Sequence, residues 1–124
     1  MRRLLVVLVS VGAVAAAVSA IPASGGPDAF SFVQVTEKEF TLTLSRQSVR
    51  AGSVSIEVVN FGMDNHDLVV KGTKVGSRAL RFKQLDPRGR TERTLRLTPG
   101  RYALWCSLGN HKARGMKTTL VVRK

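Results

Sequence analysis

Histidine and cysteine are nearly missing from this 124-residue chain, which has two of the first and one of the second. A single cysteine excludes an internal disulfide, and in an oxidising compartment its thiol is open to mixed-disulfide formation unless something holds it. Acidic residues are scarce too, 8 against 20 lysines and arginines, for a formal net charge of +12. Such a balance favours acidic proteins or anionic surfaces as partners, steered by a salt-sensitive field. From residue 30 onward no sustained helical period is present, which argues against a helical domain. There are no internal repeats and no low-complexity tract beyond the leader. No methionine- or histidine-rich tract offers a ladder for handing on metal ions.

Long apolar runs are limited to one, at the N-terminus. Met1-Arg2-Arg3 is basic, residues 4–17 are almost wholly apolar, and Val18-Ser19-Ala20 offers small residues for cleavage. This is the layout of a secretory signal peptide, with Ala23 as a second cutting point and Arg2-Arg3 as a weak twin-arginine signal. An uncleaved membrane anchor is the alternative, because the run is at the lower limit of a membrane span. The expected organisation is therefore a signal peptide over residues 1–20, a flexible connector over 21–29 and one domain over 30–124. Cleavage after Ala20 would leave 104 residues carrying about +10, enough for one modest core. The exported protein is expected in the periplasm or outside the cell. Export argues against nucleic acid, the usual partner of so basic a chain.

Alternation then takes over. Phe40, Leu42 and Leu44 interleave with threonines, and Val54, Ile56 and Val58 with Ser55 and Glu57. Leu68-Val69-Val70 is a short apolar run, Leu95 and Leu97 alternate with polar residues, and Leu120 and Val122 close the chain. Tyr102, Leu104 and Cys106 share one face of a strand, with Ala103 and Trp105 on the other. Turn signals at Ala51-Gly52, Phe61-Gly62, residues 86–89 and Pro99-Gly100 separate these runs. The pattern predicts an all-β, antiparallel sandwich of about seven or eight strands. The stretch 71–90 is least regular, and residues 77–82 are expected to make one helical turn.

The chemistry concentrates in TPGRYALWCSLGNHKARGM, where Cys106, His111 and Met116 stand at equal intervals. Cys106 should point inward at the end of its strand. His111 and Met116 fall on the loop that follows, where Gly109 and Gly115 supply unusual backbone angles. His66, in VVNFGMDNHDLVV, begins another strand that a sandwich can bring to the same rim. Thiolate and thioether suit Cu(I), imidazole suits both oxidation states, and two histidines with one cysteine and a weak axial methionine form an electron-transfer copper site. No Ser-His-Asp grouping or pair of carboxylates accompanies these residues, so no enzymatic reaction is expected.

These segments resemble the cupredoxins, the small blue-copper proteins of the plastocyanin and azurin superfamily. Residues 97–122 match their C-terminal signature, from the Pro-Gly turn and tyrosine through Cys, His and Gly-Met to a final apolar strand. VVNFGMDNHDL resembles the segment carrying their first histidine. The four-residue gap between Cys106 and His111 is longer than in plastocyanins and closer to sulfocyanin-type members. Asp67 stands where plastocyanins carry an asparagine that braces the ligand loop. The resemblance implies a Greek-key sandwich, one type 1 copper ion held by His66, Cys106, His111 and Met116, and single-electron exchange with redox proteins. A monomer is expected, its partners acidic or membrane-bound. A copper-delivery module, or an accessory subunit of a membrane oxidase or reductase, are the competing roles.

Other residues have plainer expected roles. Met63 should pack beside the site, Asn60 and Asn65 should serve turns, and the Tyr102 hydroxyl should tie a corner. Trp105 should pack on the far side of its sheet. Lys71, Lys74, Arg78, Arg81, Lys83, Arg88, Arg90 and Arg93 form a basic cluster suited either to docking or simply to solvation.

Overall fold

Val33, Val35 and Glu37 face inward from one strand and Val54, Ile56 and Val58 from its neighbour, so alternation is what sets the layers. The computed structural model describes residues 30–124; the expected signal peptide and connector lie outside the described residues. Nine strands follow in order: β1 (Ser31–Lys38), β2 (Thr41–Leu44), β3 (Ser48–Arg50), β4 (Gly52–Asn60), β5 (Val69–Gly72), β6 (Ala79–Arg81), β7 (Arg90–Leu97), β8 (Gly100–Trp105) and β9 (Lys117–Arg123). They form a four-stranded sheet ordered β2-β1-β4-β7 and a five-stranded sheet ordered β3-β9-β8-β5-β6. No helix occurs among the described residues.

The all-β sandwich is as expected, but it is mixed rather than purely antiparallel and has nine strands rather than seven or eight. β1 runs parallel to β4, from Ser31 beside Val54 to Glu37 beside Asn60. β3 runs parallel to β9, from Ser48 beside Val121 to Arg50 beside Arg123. The reason is the excursion after β2: the chain crosses to the edge of the other sheet as β3, then returns as β4 beside β1. Alternation reports which face a residue occupies and is blind to strand direction. The helical turn expected at 77–82 is instead strand β6, with Leu80 opposite Val70.

The core lies between the sheets. Val33, Val35, Val54, Ile56, Leu104 and Leu120 are completely buried, and Cys106 and Met116 belong to the same apolar cluster. Each such aliphatic side chain stabilises by about 1.5–3 kcal/mol relative to exposure. At one corner the Tyr102 hydroxyl donates to the Thr98 carbonyl at 3.0 Å and accepts from the Thr98 N–H at 3.1 Å. That bond fixes the turn by which the chain leaves β7 in one sheet and enters β8 in the other, as anticipated for Tyr102.

Candidate metal centre

β8 ends at Trp105, and the inward alternation of Leu104 carries on to Cys106, whose side chain is fully buried. The next ten residues fold back on themselves. Cys106 N–H donates to Met116 O at 3.1 Å and Met116 N–H to His111 O at 3.0 Å, closing the loop at its neck. Within it His111 N–H donates to Leu108 O at 3.1 Å and Arg114 N–H to Asn110 O at 3.0 Å. Gly109 and Gly115 have φ of 46° and 111°, the left-handed region that side chains avoid. Met116 then enters β9 with its side chain fully buried in the cluster that holds Cys106.

His66 arrives from the other direction. Its backbone makes a two-bond bridge with Leu85, with N–O distances of 3.1 and 2.7 Å, and its side chain is fully buried. The loop before it is held by Asn60, whose amide donates to Asp64 O at 2.8 Å and Leu85 O at 3.0 Å. The same side chain accepts from Gly62 N–H at 2.8 Å. This is the turn-binding role expected of Asn60.

Three donor atoms converge. His66 Nδ1 and His111 Nδ1 lie 3.2 Å apart, and Cys106 Sγ is 4.0 Å from the first and 3.5 Å from the second. The triangle they define has a circumradius of about 2.1 Å, close to the roughly 2.0–2.3 Å bonds that imidazole nitrogen and thiolate make to a first-row ion. His66 and Cys106 are buried and His111 is half-buried, so the cluster opens to solvent on one side only. Two imidazoles and a thiol this close in an apolar setting are the donor set of a transition-metal site.

One residue that sequence spacing did not point to completes the arrangement. Glu39 Oε1 lies 3.1 Å from His66 Nε2 and also accepts the N–H groups of Met63 at 2.6 Å and Asp64 at 2.7 Å. The Asp64 N–H chiefly, with His66 and Met63, holds this carboxyl down to about 2 despite partial desolvation. A carboxylate there assigns the proton to Nε2, leaving the Nδ1 lone pair of His66 aimed at the cluster. Gly62 makes the contact possible, because a Cβ there would collide with Glu39 Oε1 and stand 2.9 Å from His66 Nε2. Glu39 is 27 residues from His66 in sequence, and no local motif links them.

Asp67 also has a definite task. Its carboxylate accepts the Ser107 N–H at 2.6 Å and the Ser107 hydroxyl at 2.5 Å, tying the His66 strand to the residue after Cys106. The acid thus braces the loop where an asparagine was the expected residue. Phe40 packs edge-on to the His111 ring at a centroid distance of 4.9 Å, and Arg114 covers Phe40 at 3.5 Å. Burial pushes the Cys106 thiol up. Met63, expected to pack beside the site, is instead 84% exposed. Trp105 turns away from the cluster, with Lys112 Nζ 4.1 Å above its ring.

No protein-family model matches the chain, and no curated protein sequence is similar to it. Solved structures are. Dithionite-reduced auracyanin from Roseiflexus castenholzii superposes with a TM-score of 0.62 at 17% identity, over 76% of this chain and 98% of that one. Auracyanin A, a "blue" copper protein from Chloroflexus aurantiacus, gives 0.60 at 15% identity, over 76% and 99%. A rusticyanin variant structure gives 0.61 at 19% identity, over 76% and 77%. At these identities the likeness speaks to architecture, and with the two sheets and the clustered donors it fixes the class: this chain has the cupredoxin fold.

Proposed function

We propose that this protein is an exported single-electron carrier in which His66, Cys106, His111 and Met116 hold one type 1 copper ion. One observation carries the reading: two imidazole Nδ1 atoms and the sole thiol lie within 4.8 Å of one another at the buried end of a cupredoxin sandwich. That auracyanin A, a similar fold, is a blue copper protein supports the choice of metal. Bound copper supplies a Cu(II)/Cu(I) couple, and sulfur donors favour the reduced state.

The protein's own groups divide the work. Cys106, with its thiol pushed up by burial, sheds its proton on binding a cation, so loading releases a proton and weakens in acid. His66 is kept in one tautomer and one orientation by Glu39. His111 is the one half-buried member and the natural point of electron exchange. Half-buried Leu108, whose carbonyl accepts the His111 N–H, offers an apolar rim beside it. Lys112 and Arg114 add positive charge beside that rim, which suits an acidic redox partner. Glu39 and His66 are an acid–base pair in form, but the carboxylate is committed to two backbone N–H groups and the imidazole is buried. Neither is free to act on a substrate.

The test is visible absorption with cyclic voltammetry on the copper-loaded protein. An intense blue or green colour, a reversible one-electron wave and bleaching by Cys106→Ser are expected. A colourless protein that binds only Cu(I) would replace the carrier reading with copper delivery.

A further inference from the structure

The end of the sandwich farthest from the metal cluster carries a second feature that electron transfer does not use. Ser31 at the start of β1, Arg50 at the end of β3 and Arg123 at the end of β9 meet there, roughly 20 Å along β9 from Met116. They line a cleft of about 450 Å³ together with Arg46, Ser48 and Lys124. Its floor is pinned by backbone: Arg50 N–H donates to Ser31 Oγ at 3.2 Å and Ala51 N–H to Arg123 O at 2.7 Å. Arg46, Arg50, Arg123 and Lys124 are all exposed, and none has an acidic partner among the described residues. The acids among the described residues lie elsewhere; Asp28, in the connector before Phe30, lies outside them. Glu37, Glu39, Asp64, Asp67 and Asp86 are at the metal end, and Glu57 and Glu92 sit opposite each other midway along the first sheet. Among the described side chains the molecule is therefore polarised, with one cationic pole.

The leader joins the domain at that same pole. Phe30 precedes β1, lines the cleft and is 65% exposed. Nine residues, 21–29, separate it from the apolar leader, a chain length that spans no more than about 30 Å. A protein delivered to or held at a bilayer by residues 1–20 thus meets it with this end first.

We propose that the cleft at Arg46, Arg50, Arg123 and Lys124 is a docking site for the phosphate headgroups of an anionic lipid surface. Guanidinium groups pair with phosphate in fork geometry, and Phe30 beside them enters the boundary between headgroups and acyl chains. Docking by this pole turns the His111 edge away from the bilayer, toward soluble partners. A cationic patch and an apolar segment together make the two-signal attachment that either alone supports poorly.

The experiment is co-sedimentation of the exported protein with vesicles of phosphatidylcholine, alone or with about one-third phosphatidylglycerol. The readout is the excess binding that phosphatidylglycerol confers, so attachment through a retained leader cancels. Arg50→Glu with Arg123→Glu should reduce that excess by at least about 25-fold, at roughly fivefold for each cation lost. Lys71→Glu with Lys83→Glu, an equal charge change away from the cleft, should leave most of it. Equal losses in the two variants, no excess in the parent protein, or displacement by free glycerophosphate at matched phosphate concentration would each overturn the proposal. Circular dichroism confirms that the variants fold, and none of these measurements depends on the metal.

Discussion

The two loops that carry the imidazoles are held by opposite means. Residues 107–115 are tied mainly by their own backbone, through bonds no more than five residues apart that end at the Cys106–Met116 neck. Residues 61–67 are tied by side chains: Asn60 at the end of β4, next to the loop, and Glu39 from afar, beyond the end of β1. The first loop is local and half-exposed, the second non-local and closed over a buried histidine. A loop that closes on itself tolerates loss of one side chain, whereas one hung from the distant Glu39 carboxylate fails when it fails.

Glu39 and its neighbour Glu37 show how far the setting decides. Glu37 and Glu39 are two residues apart, yet Glu39 is satisfied and held down to about 2, while Glu37 is buried without a partner for either oxygen. Burial, with Asp67 adding like charge, pushes Glu37 up to about 8. A folded pKa above the unfolded one means the folded state binds the extra proton, so the contribution of Glu37 is greatest below about 4.5 and declines as pH rises toward 8, whereas that of Glu39 is lost as pH falls below 4.5. The decline should amount to something on the order of 3–5 kcal/mol. Denaturant unfolding at a series of pH values should show it in the parent, and Glu37→Gln should flatten it. If the variant keeps the slope, some other group is responsible. Glu37 accepts the Phe61 N–H through its carbonyl at 2.9 Å, so this strain is lodged directly beneath the side-chain-held loop.

Breaking the brace itself should have a somewhat smaller effect. Glu39→Gln keeps the size but removes the charge that orients His66, and a change of this kind lowers metal affinity by about 10–100-fold. Gly62→Ala should weaken binding in the same direction by displacing the same carboxylate. The two routes share the Glu39 contact, so they should add less than fully: once Glu39→Ala has removed that carboxylate, Gly62→Ala keeps only its 2.9 Å approach to His66 Nε2. Metal titration of the single and double variants decides it. Fully additive losses would mean that Gly62 acts through His66 directly rather than through Glu39.

The same contrast explains what the sequence made legible. Cys106, His111 and Met116 could be read together because their loop is local, and alternation marked β4, β8 and β9 because period two survives whatever the strand direction. His66 is marked by its residue type and by the likeness of VVNFGMDNHDL to a cupredoxin segment. Its supports were out of view because Glu39, Asn60 and Leu85 are joined to it by the fold, not by spacing. The parallel pairings of β1 with β4 and of β3 with β9 depend on where the chain crosses between sheets, which no single segment encodes. β6 reads as a helical turn because three residues at an edge give too few periods to tell two from 3.6. Asp67 kept a bracing role by exchanging an amide for a carboxylate that accepts both Ser107 donors.

The smallest effect should come from the self-held loop. Met116→Leu nearly conserves volume, and such core exchanges usually cost less than about 1.5 kcal/mol. The bonds that close the loop use the Met116 backbone and survive the change. Colour and fold should therefore persist. If the thioether is the axial donor, its loss removes a stabilising contact from Cu(II) and the reduction potential should rise. An unchanged potential would assign Met116 to packing alone, and would leave the two imidazoles and the thiolate as the whole of the ligand set.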